Sequence, residues 1–478
     1  MLFNSQEFVF LFLPLAWALF EVLRRRAAWR AVLWWLLLAS LAFYGWWDWR
    51  ALFLLGASIG ANFALGLWLA RPRPPRGLLA AGVAANLALL GWFKYAAFFA
   101  SNWQALTGIE SAVPQWALPL GISFFTFQQI AYLVDVARGE PAERDPVRYA
   151  LFVTFFPQLI AGPIVHFRQM MPAFDAQPRR ADASLDLAVG LSIFLLGLAK
   201  KVLVADSLAP HVAPVFDAPP GVPPPDALAA WTALLAYTFQ IYFDFSGYSD
   251  MAIGIARMFG IPLPVNFFSP YKAHSIAEFW RRWHMTLSAF LRDYLYIPLG
   301  GNRRGPVRTA ANLFLTMAIG GLWHGANWTF VAWGCWHGAL LVLHRALSAV
   351  VPGRLPAAIG VALTFLAVML GWVWFRAPSM EAALGLYAAL FGGAWILPPA
   401  WTDAHGWIAL AAVLAFAAPN TSQWFARFEP GLLPAHHVAR PPRLAWSPRP
   451  AAALALALLG ATTVLALSRE TVFLYFQF

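Results

Sequence analysis

One cysteine, Cys335, stands in the whole chain, which excludes an intrachain disulfide and any cysteine-built metal site. Charge is scarce too. Asp, Glu, Lys and Arg make up 12% of the 478 residues, against about 25% in soluble domains. Negative charge is the scarcer sign, with 22 Asp and Glu against 33 Lys and Arg. The formal charge of +11 suggests an anionic partner, yet nucleic acid fits poorly, because the basic residues lie between hydrophobic runs and form no stripe on a soluble face. Much of the excess is the Lys/Arg bias of cytoplasmic loops. Also missing are a P-loop, a dinucleotide fingerprint and a Gly-x-Ser-x-Gly elbow, so neither nucleotide hydrolysis nor a serine acyl-enzyme is favoured. No internal repeat and no separate soluble domain is visible. No basic region precedes the apolar run at 8–23, so Arg24–Arg26 reads as the flank of an anchor and the N-terminus is not a cleavable signal.

What the chain does have is apolar surface. It is 60% hydrophobic, with 25 Trp and 40 Phe, and its mean hydropathy is positive. A soluble core could not absorb that surface, and the composition specifies a polytopic, all-α membrane protein. A span needs about 20 mostly apolar residues. The candidate runs lie at 7–23, 31–47, 51–70, 77–100, 117–136, 149–165, 185–207, 228–256, 311–345, 357–376, 382–398, 405–418 and 450–467. Some are short or interrupted by Gly and Pro, so eleven or twelve crossings are expected. The basic loops Arg24–Arg26 and 71–76 are separated by two runs, which places both in the cytoplasm and the N-terminus outside. The Pro-rich loop 218–225 carries no Lys or Arg and reads as a periplasmic turn.

Between 266 and 308 the character changes. Lys272, Arg281, Arg282, Arg292, Arg303, Arg304 and Arg308 face only Glu278 and Asp293, a cytoplasmic signature. Ser275 followed by Glu278 reads as a capping box. At 100° per residue, Ile276, Phe279, Trp280, Trp283, Leu287, Leu291 and Tyr294 share one face, and Arg281, Arg282, Met285, Arg292 and Asp293 mostly take the other. The expectation is an interfacial amphipathic helix with His284 at the edge of its apolar stripe. The next run, Asn312 to Leu343, is too long for one upright helix. Gly320, Gly321 and Gly325 around His324 are where it would break, and they let another backbone or a substrate come close. An imidazole at membrane depth is costly to place and is a functional candidate by default.

Several of these segments resemble the membrane-bound O-acyltransferases. They are Phe279-Trp280-Arg281-Arg282-Trp283-His284-Met285-Thr286-Leu287-Ser288, the following Leu291–Gly301, and Leu322-Trp323-His324-Gly325-Ala326-Asn327-Trp328. The similarity extends to Phe155–Ile164, Asp244–Ala252 and the last residues Phe473–Phe478. It is strongest to the bacterial branch with the alginate O-acetyltransferases and the D-alanyl transferases, and it covers essentially the whole chain as one domain, 1–478. Residues 380–448 match no motif. The resemblance implies a helical ring around a thin centre, where a cytoplasmic funnel meets a shallower outer opening with a histidine at the neck. It implies transfer of an acyl group, most simply acetyl, from a cytoplasmic donor to a hydroxyl on the outer side of a bacterial inner membrane. No cofactor would be bound tightly, and the donor would be acetyl-CoA or an acyl-carrier thioester. A periplasmic or membrane-anchored partner would carry the group onward to a polysaccharide such as alginate. Peptidoglycan, cellulose or a D-alanyl acceptor would use the same chemistry.

O-acylation needs a base for the hydroxyl and a way to hold the oxyanion that forms at the thioester carbonyl. Histidine, with an ordinary pKa of about 6.5, can take the proton at neutral pH. His324 matches the family's catalytic position. The alternative for it is a core histidine bonded to a backbone carbonyl. His284 matches the second functional position and would orient the donor, polarise the carbonyl or place the acceptor, unless it is only an interfacial residue among tryptophans. Asn327, three residues past His324, is a candidate oxyanion donor or ring-orienting group. Pro157 and Gln158, with Pro163, would shape a re-entrant turn lining the funnel, and Trp323 would line it beside His324. Asp244 and Asp250 sit in the apolar run 228–256, where a structural salt bridge to Lys200, Lys201 or Arg257 is favoured over catalysis. Arg281 and Arg282 offer an electrostatic landing site for a phosphate-rich donor, beside the ordinary reading of a membrane flank. His337 and His344 read as packing and interfacial residues. His436 and His437 lack a zinc-ligand spacing, and no metal is expected. A proton-relaying transporter is the rival class, weakened by the absence of a repeat.

Overall fold

Backbone inside lipid must satisfy its own polar groups, and this chain does so with helices. The computed structural model describes residues 1–110, 117–175, 183–219, 224–350, 353, 355–396, 402–434, 436–467 and 474. Among these there is no strand, only an isolated bridge between Pro264 and Leu432. Four helices are long and apolar enough to cross a membrane: Ala51–Leu69, Leu78–Thr107, Ala183–Phe216 and Ala357–Arg376. Shorter apolar helices occupy Trp29–Gly45, Ile122–Ala137, Met380–Gly392, Asp403–Phe416 and Pro450–Leu465. Two of the expected spans take other forms. The run 149–165 is broken at Phe155 into Pro146–Thr154 and Phe156–Leu159. The run 311–345 folds back on itself. Part of the loop 218–225 and all of 473–478 except Leu474 lie outside the described residues.

The chain forms two compact units, each drawn from separated segments. The first comprises Met1–Leu195, Ser249–Val265 and Phe428–Val438. Its core is aromatic: Phe3, Phe8, Phe43 and Phe156 are fully buried and their rings pack at centroid distances of 4.9 to 6.4 Å. Amide groups within its apolar helices pair with each other. Asn86 Nδ2 donates to Asn62 Oδ1 at 2.7 Å, and Asn62 Nδ2 returns a bond of 3.2 Å.

The second unit comprises Leu196–Tyr248, Asn266–Arg427 and Ala439–Phe478. It is organised on a hairpin of two helices, Gly305–His324 and Trp328–Val350. Glycine on both strands lets the backbones touch. A Cβ on Gly321 would lie 2.2 Å from the Phe330 carbonyl oxygen, and one on Gly334 would lie 2.4 Å from that of Met317. The turn at Gly325 is equally tight, since a Cβ there would meet the Phe330 ring at 2.1 Å.

The expected amphipathic helix within 266–308 is corrected by the structure. Ser275 does cap a helix, accepting from Glu278 N at 3.2 Å, but that helix ends at Arg282. A second helix, Met285–Leu291, begins after His284. Met285, expected on the polar face, is buried, while Arg281 and Arg292 of that face are exposed. The segment instead runs antiparallel along the 305–324 helix. Leu291 packs at Gly320, and Asn312 Nδ2 donates to the Gly301 carbonyl at 3.1 Å. A uniform 100° projection places most of the buried and exposed residues but cannot anticipate the break at His284.

Gly334→Ala should therefore overpack the hairpin by about 1–3 kcal/mol and lower the thermal midpoint of the detergent-purified protein by several degrees. Gly385→Ala, at a position with nothing within 4 Å of a new Cβ, should leave the midpoint unchanged in the same fluorescence melt.

Candidate active site

His284 owes its position to an irregular backbone. It stands between the helices Ile276–Arg282 and Met285–Leu291 in the left-handed region, at φ 43° and ψ 53°. A residue other than glycine held there costs of order 1–3 kcal/mol and persists only where its surroundings fix it. Asn266, fully buried, does the fixing. Its carbonyl accepts from Met285 N at 3.0 Å. Its side-chain oxygen Oδ1 accepts from Thr286 N at 3.2 Å and from Thr286 Oγ1 at 2.9 Å, and it lies 3.2 Å from His284 Nδ1.

This arrangement assigns the tautomer. The Thr286 backbone N–H can only donate, so the amide atom facing it is the oxygen. An amide oxygen has no proton to give, so His284 Nδ1 carries the hydrogen and Nε2 keeps the lone pair. His284 lies outside the membrane-spanning helices, and burial lowers its pKa to about 3. Its ring is therefore neutral near pH 7.

His324 is the last residue of the 305–324 helix and is 5% exposed. The ring centroids of His284 and His324 are 6.4 Å apart, although forty residues separate them in sequence. Trp323 packs 5.0 Å from His324 and 6.5 Å from His284. Trp333 and Phe375 meet His324 edge-on at 5.0 and 5.2 Å, and Phe245 meets His284 at 4.8 Å. Both imidazoles open into one narrow cavity, which has room for about one water molecule. Trp283, Trp333, Trp372, Phe245 and Phe375 wall it, with Ile241, Asp244 and Leu474 completing the lining.

Asp244 enters the cavity wall as part of a buried charge cluster. Lys201 Nζ lies 2.8 Å from Asp244 Oδ1 and 2.6 Å from Asp206 Oδ1, and all three side chains are under 5% exposed. Leu474 N donates to the other carboxylate oxygen, Asp244 Oδ2, at 3.0 Å. Of the salt-bridge partners considered for Asp244, the structure uses Lys201. Lys200 Nζ donates to Thr421 Oγ1 at 2.8 Å, and Arg257 pairs with Asp186 at 2.9 Å.

The other sequence candidates lie elsewhere. Asn327 works as a helix cap: its Oδ1 accepts from Thr329 N at 3.1 Å and its Nδ2 donates to the Pro378 carbonyl at 2.9 Å. It is not in the cavity lining, because the helix ends at His324 and the three-residue spacing no longer places both on one face. Pro157 and Gln158 are buried in the short helix Phe156–Leu159 of the first unit, where Gln158 Nε2 donates to the Phe152 carbonyl at 2.6 Å. Asp250, half-buried, belongs to that unit as well. Arg281 is exposed, and Arg282 is paired with Glu278 at 2.6 Å. His337 is fully buried against Trp280 and Trp333, at 5.1 and 5.0 Å, as a packing residue.

Sequence reasoning missed Asn266, Trp333, Trp372, Phe375 and Leu474. Two signals were legible: an asparagine inside an apolar stretch (Val265-Asn266-Phe267-Phe268), and the family-like ending Phe473–Phe478 that contains Leu474. The aromatic wall had none, because 25 Trp and 40 Phe leave no single ring conspicuous.

Lys201→Met would strand two buried carboxylates, a loss of about 3–5 kcal/mol, and the thermal midpoint should fall accordingly. Adding Asp244→Asn removes one of the stranded charges and should restore part of that loss in the same melt.

Among known sequences, the profile of the membrane-bound O-acyltransferase family matches residues 77–375. The probable alginate O-acetylase AlgI of Azotobacter vinelandii is 42% identical over 510 aligned positions, covering 100% of both chains. The peptidoglycan O-acetyltransferase of Helicobacter pylori is 43% identical, covering 82% of this chain and 80% of its own. A teichoic acid D-alanyltransferase of Streptococcus thermophilus is 28% identical over 54% of this chain and 68% of its own.

Proposed function

This chain belongs to the membrane-bound O-acyltransferase family, and on that premise we propose that it moves an acetyl group from a cytoplasmic thioester to a hydroxyl on the periplasmic side, for O-acetylation of an exopolysaccharide, alginate or a close analogue. The observation that carries this reading is the pairing of His284 and His324 in one cavity, 6.4 Å apart, walled by aromatic rings. Acetyl-CoA or an acyl-carrier thioester is the donor. The enzyme sits in the bacterial inner membrane with its N-terminus in the periplasm, and a periplasmic or membrane-anchored partner passes the group to the polymer.

In the reaction the acceptor hydroxyl oxygen attacks the thioester carbonyl carbon. The His324 imidazole takes the hydroxyl proton, the C–O bond forms, the C–S bond breaks, and the proton passes to the departing thiolate. His284, its Nδ1 hydrogen engaged by Asn266, presents Nε2 toward the reacting groups and positions the acceptor by accepting a hydrogen bond from a second, non-reacting hydroxyl of the acceptor. The wall of tryptophan and phenylalanine keeps water from competing for the thioester. Exposed arginines at 281, 303, 304 and 308 attract the anionic donor.

A second acceptor has its own support: the peptidoglycan O-acetyltransferase relative matches this chain with about the same identity as the alginate relative does. Base-labile acetate on purified exopolysaccharide and on purified peptidoglycan, compared between wild type and a deletion strain, distinguishes the two acceptors.

His324→Ala should leave the protein folded in the membrane and abolish acetyl ester on the polymer. Wild-type ester content in that variant would remove His324 from the mechanism. Asn266→Ala releases the His284 ring, and turnover should fall by about 10–100-fold, the usual effect of losing a group that orients a functional histidine.

A further inference from the structure

The space beside the two histidines is small, and one residue closes it from outside the surrounding helices. Among the described residues, Ile241 and Leu474 are the aliphatic side chains that line it. Ile241 is fixed on the helix Ala227–Met258, one turn before Asp244 and Phe245. The wall rings are locked against each other: Trp333 stacks on Trp372 at 6.0 Å, Trp283 lies 5.0 Å from Trp372, and Phe375 lies 5.1 Å from Trp333. None of them can yield room without disturbing the others.

Leu474 is held differently. It comes from 230 residues beyond Asp244 and is tied to it by a single backbone bond, Leu474 N to Asp244 Oδ2 at 3.0 Å. Asp244 is held in turn by Lys201, which is itself held by Asp206. The side chain is 7% exposed and carries no group that could take part in proton transfer. A backbone bond to a buried, paired carboxylate and a branched hydrocarbon in the cavity together make a stop.

We propose that Leu474 sets the length of acyl group this enzyme accepts, its isobutyl group filling the space that a chain longer than acetyl would need. This rests on the acyl-transfer reading above and deepens it. Leu→Ala removes three carbons, more than the two that separate butyryl from acetyl. The bonds made and broken are the same for every acyl length, so only selectivity changes. Excluding one methylene by shape is worth roughly 10-fold or more in relative rate.

The test uses inner-membrane vesicles from the native strain, holding the full chain with its polymer acceptor and partner, supplied separately with acetyl-, propionyl- and butyryl-thioesters, each as the coenzyme A and as the acyl-carrier form. Thiol release is measured and the His324→Ala background subtracted. In Leu474→Ala the butyryl-to-acetyl rate ratio should rise about tenfold or more, while Leu474→Met, which keeps the volume, should hold the wild-type ratio. The ratio is internal to each preparation, so a lower yield of folded protein cannot imitate the effect. If Leu474→Ala turns over none of the thioesters, Leu474→Val decides, and its propionyl-to-acetyl ratio must rise. An unchanged ratio in an active variant overturns the assignment. A wild type that turns over none of the three thioesters sinks the acyl-transfer reading, whereas acetyl turnover with unaltered selectivity in the variants sinks this inference alone.

Discussion

Two imidazoles have to be held 6.4 Å apart, steeply inclined to each other, in an apolar interior, and Asn266 is the group that makes this possible. One side-chain oxygen and one backbone carbonyl receive the polar groups of His284, Met285 and Thr286. Without those bonds the left-handed residue and its two buried N–H groups would each be a cost with nothing to offset it. With them, the chain breaks between two short helices at one defined point, and the imidazole turns toward the end of the helix that carries His324. The same contacts settle the tautomer, so local geometry and chemical role come from one residue.

Around that pair the structure handles polarity in two ways. Charges are gathered: Lys201 sits between Asp206 and Asp244, so that no buried carboxylate of the cluster lacks a cation. Most of the remaining lining is aromatic, and rings meeting edge to face supply a stiff wall. Asp244 joins the two systems, since it borders the cavity, belongs to the charge cluster and binds the Leu474 backbone. A residue read from sequence as merely structural is thereby part of the cavity wall.

Helices of the second unit frame these features by close backbone approach. In the hairpin of the second unit, Gly321 and Gly334 replace side-chain packing with backbone contact, a solution suited to lipid, where apolar side chains gain nothing by leaving one another for a neighbouring helix. It also brings Phe330 over Gly325 and fixes the turn next to His324. His324 thus stands at a helix end, where the last carbonyls are free of intrahelical partners and irregular backbone is tolerated.

How much of this could be read beforehand follows from what kind of information each feature needs. Hydrophobic runs, the scarcity of charge and the single cysteine determined an all-α membrane protein, because each is a property of the chain taken locally. Motif residues pointed to His324 and His284, and an apolar run with a carboxylate in it required a cation near Asp244. Which cation it was, Lys201 and not Lys200 or Arg257, depended on where helices separated in sequence come together. The single helix read over 276–294 breaks for the same kind of reason: most of its apolar residues are buried as projected, but periodicity assumes an unbroken helix, and the distant Asn266 holds the break at His284. Asn327 fell out of the cavity when the helix stopped at His324. Leu474 entered it across 230 residues through one backbone hydrogen bond, a contact with no trace in local pattern. Composition and periodicity are sums over neighbours along the chain; a site is a meeting of residues that are neighbours only in space.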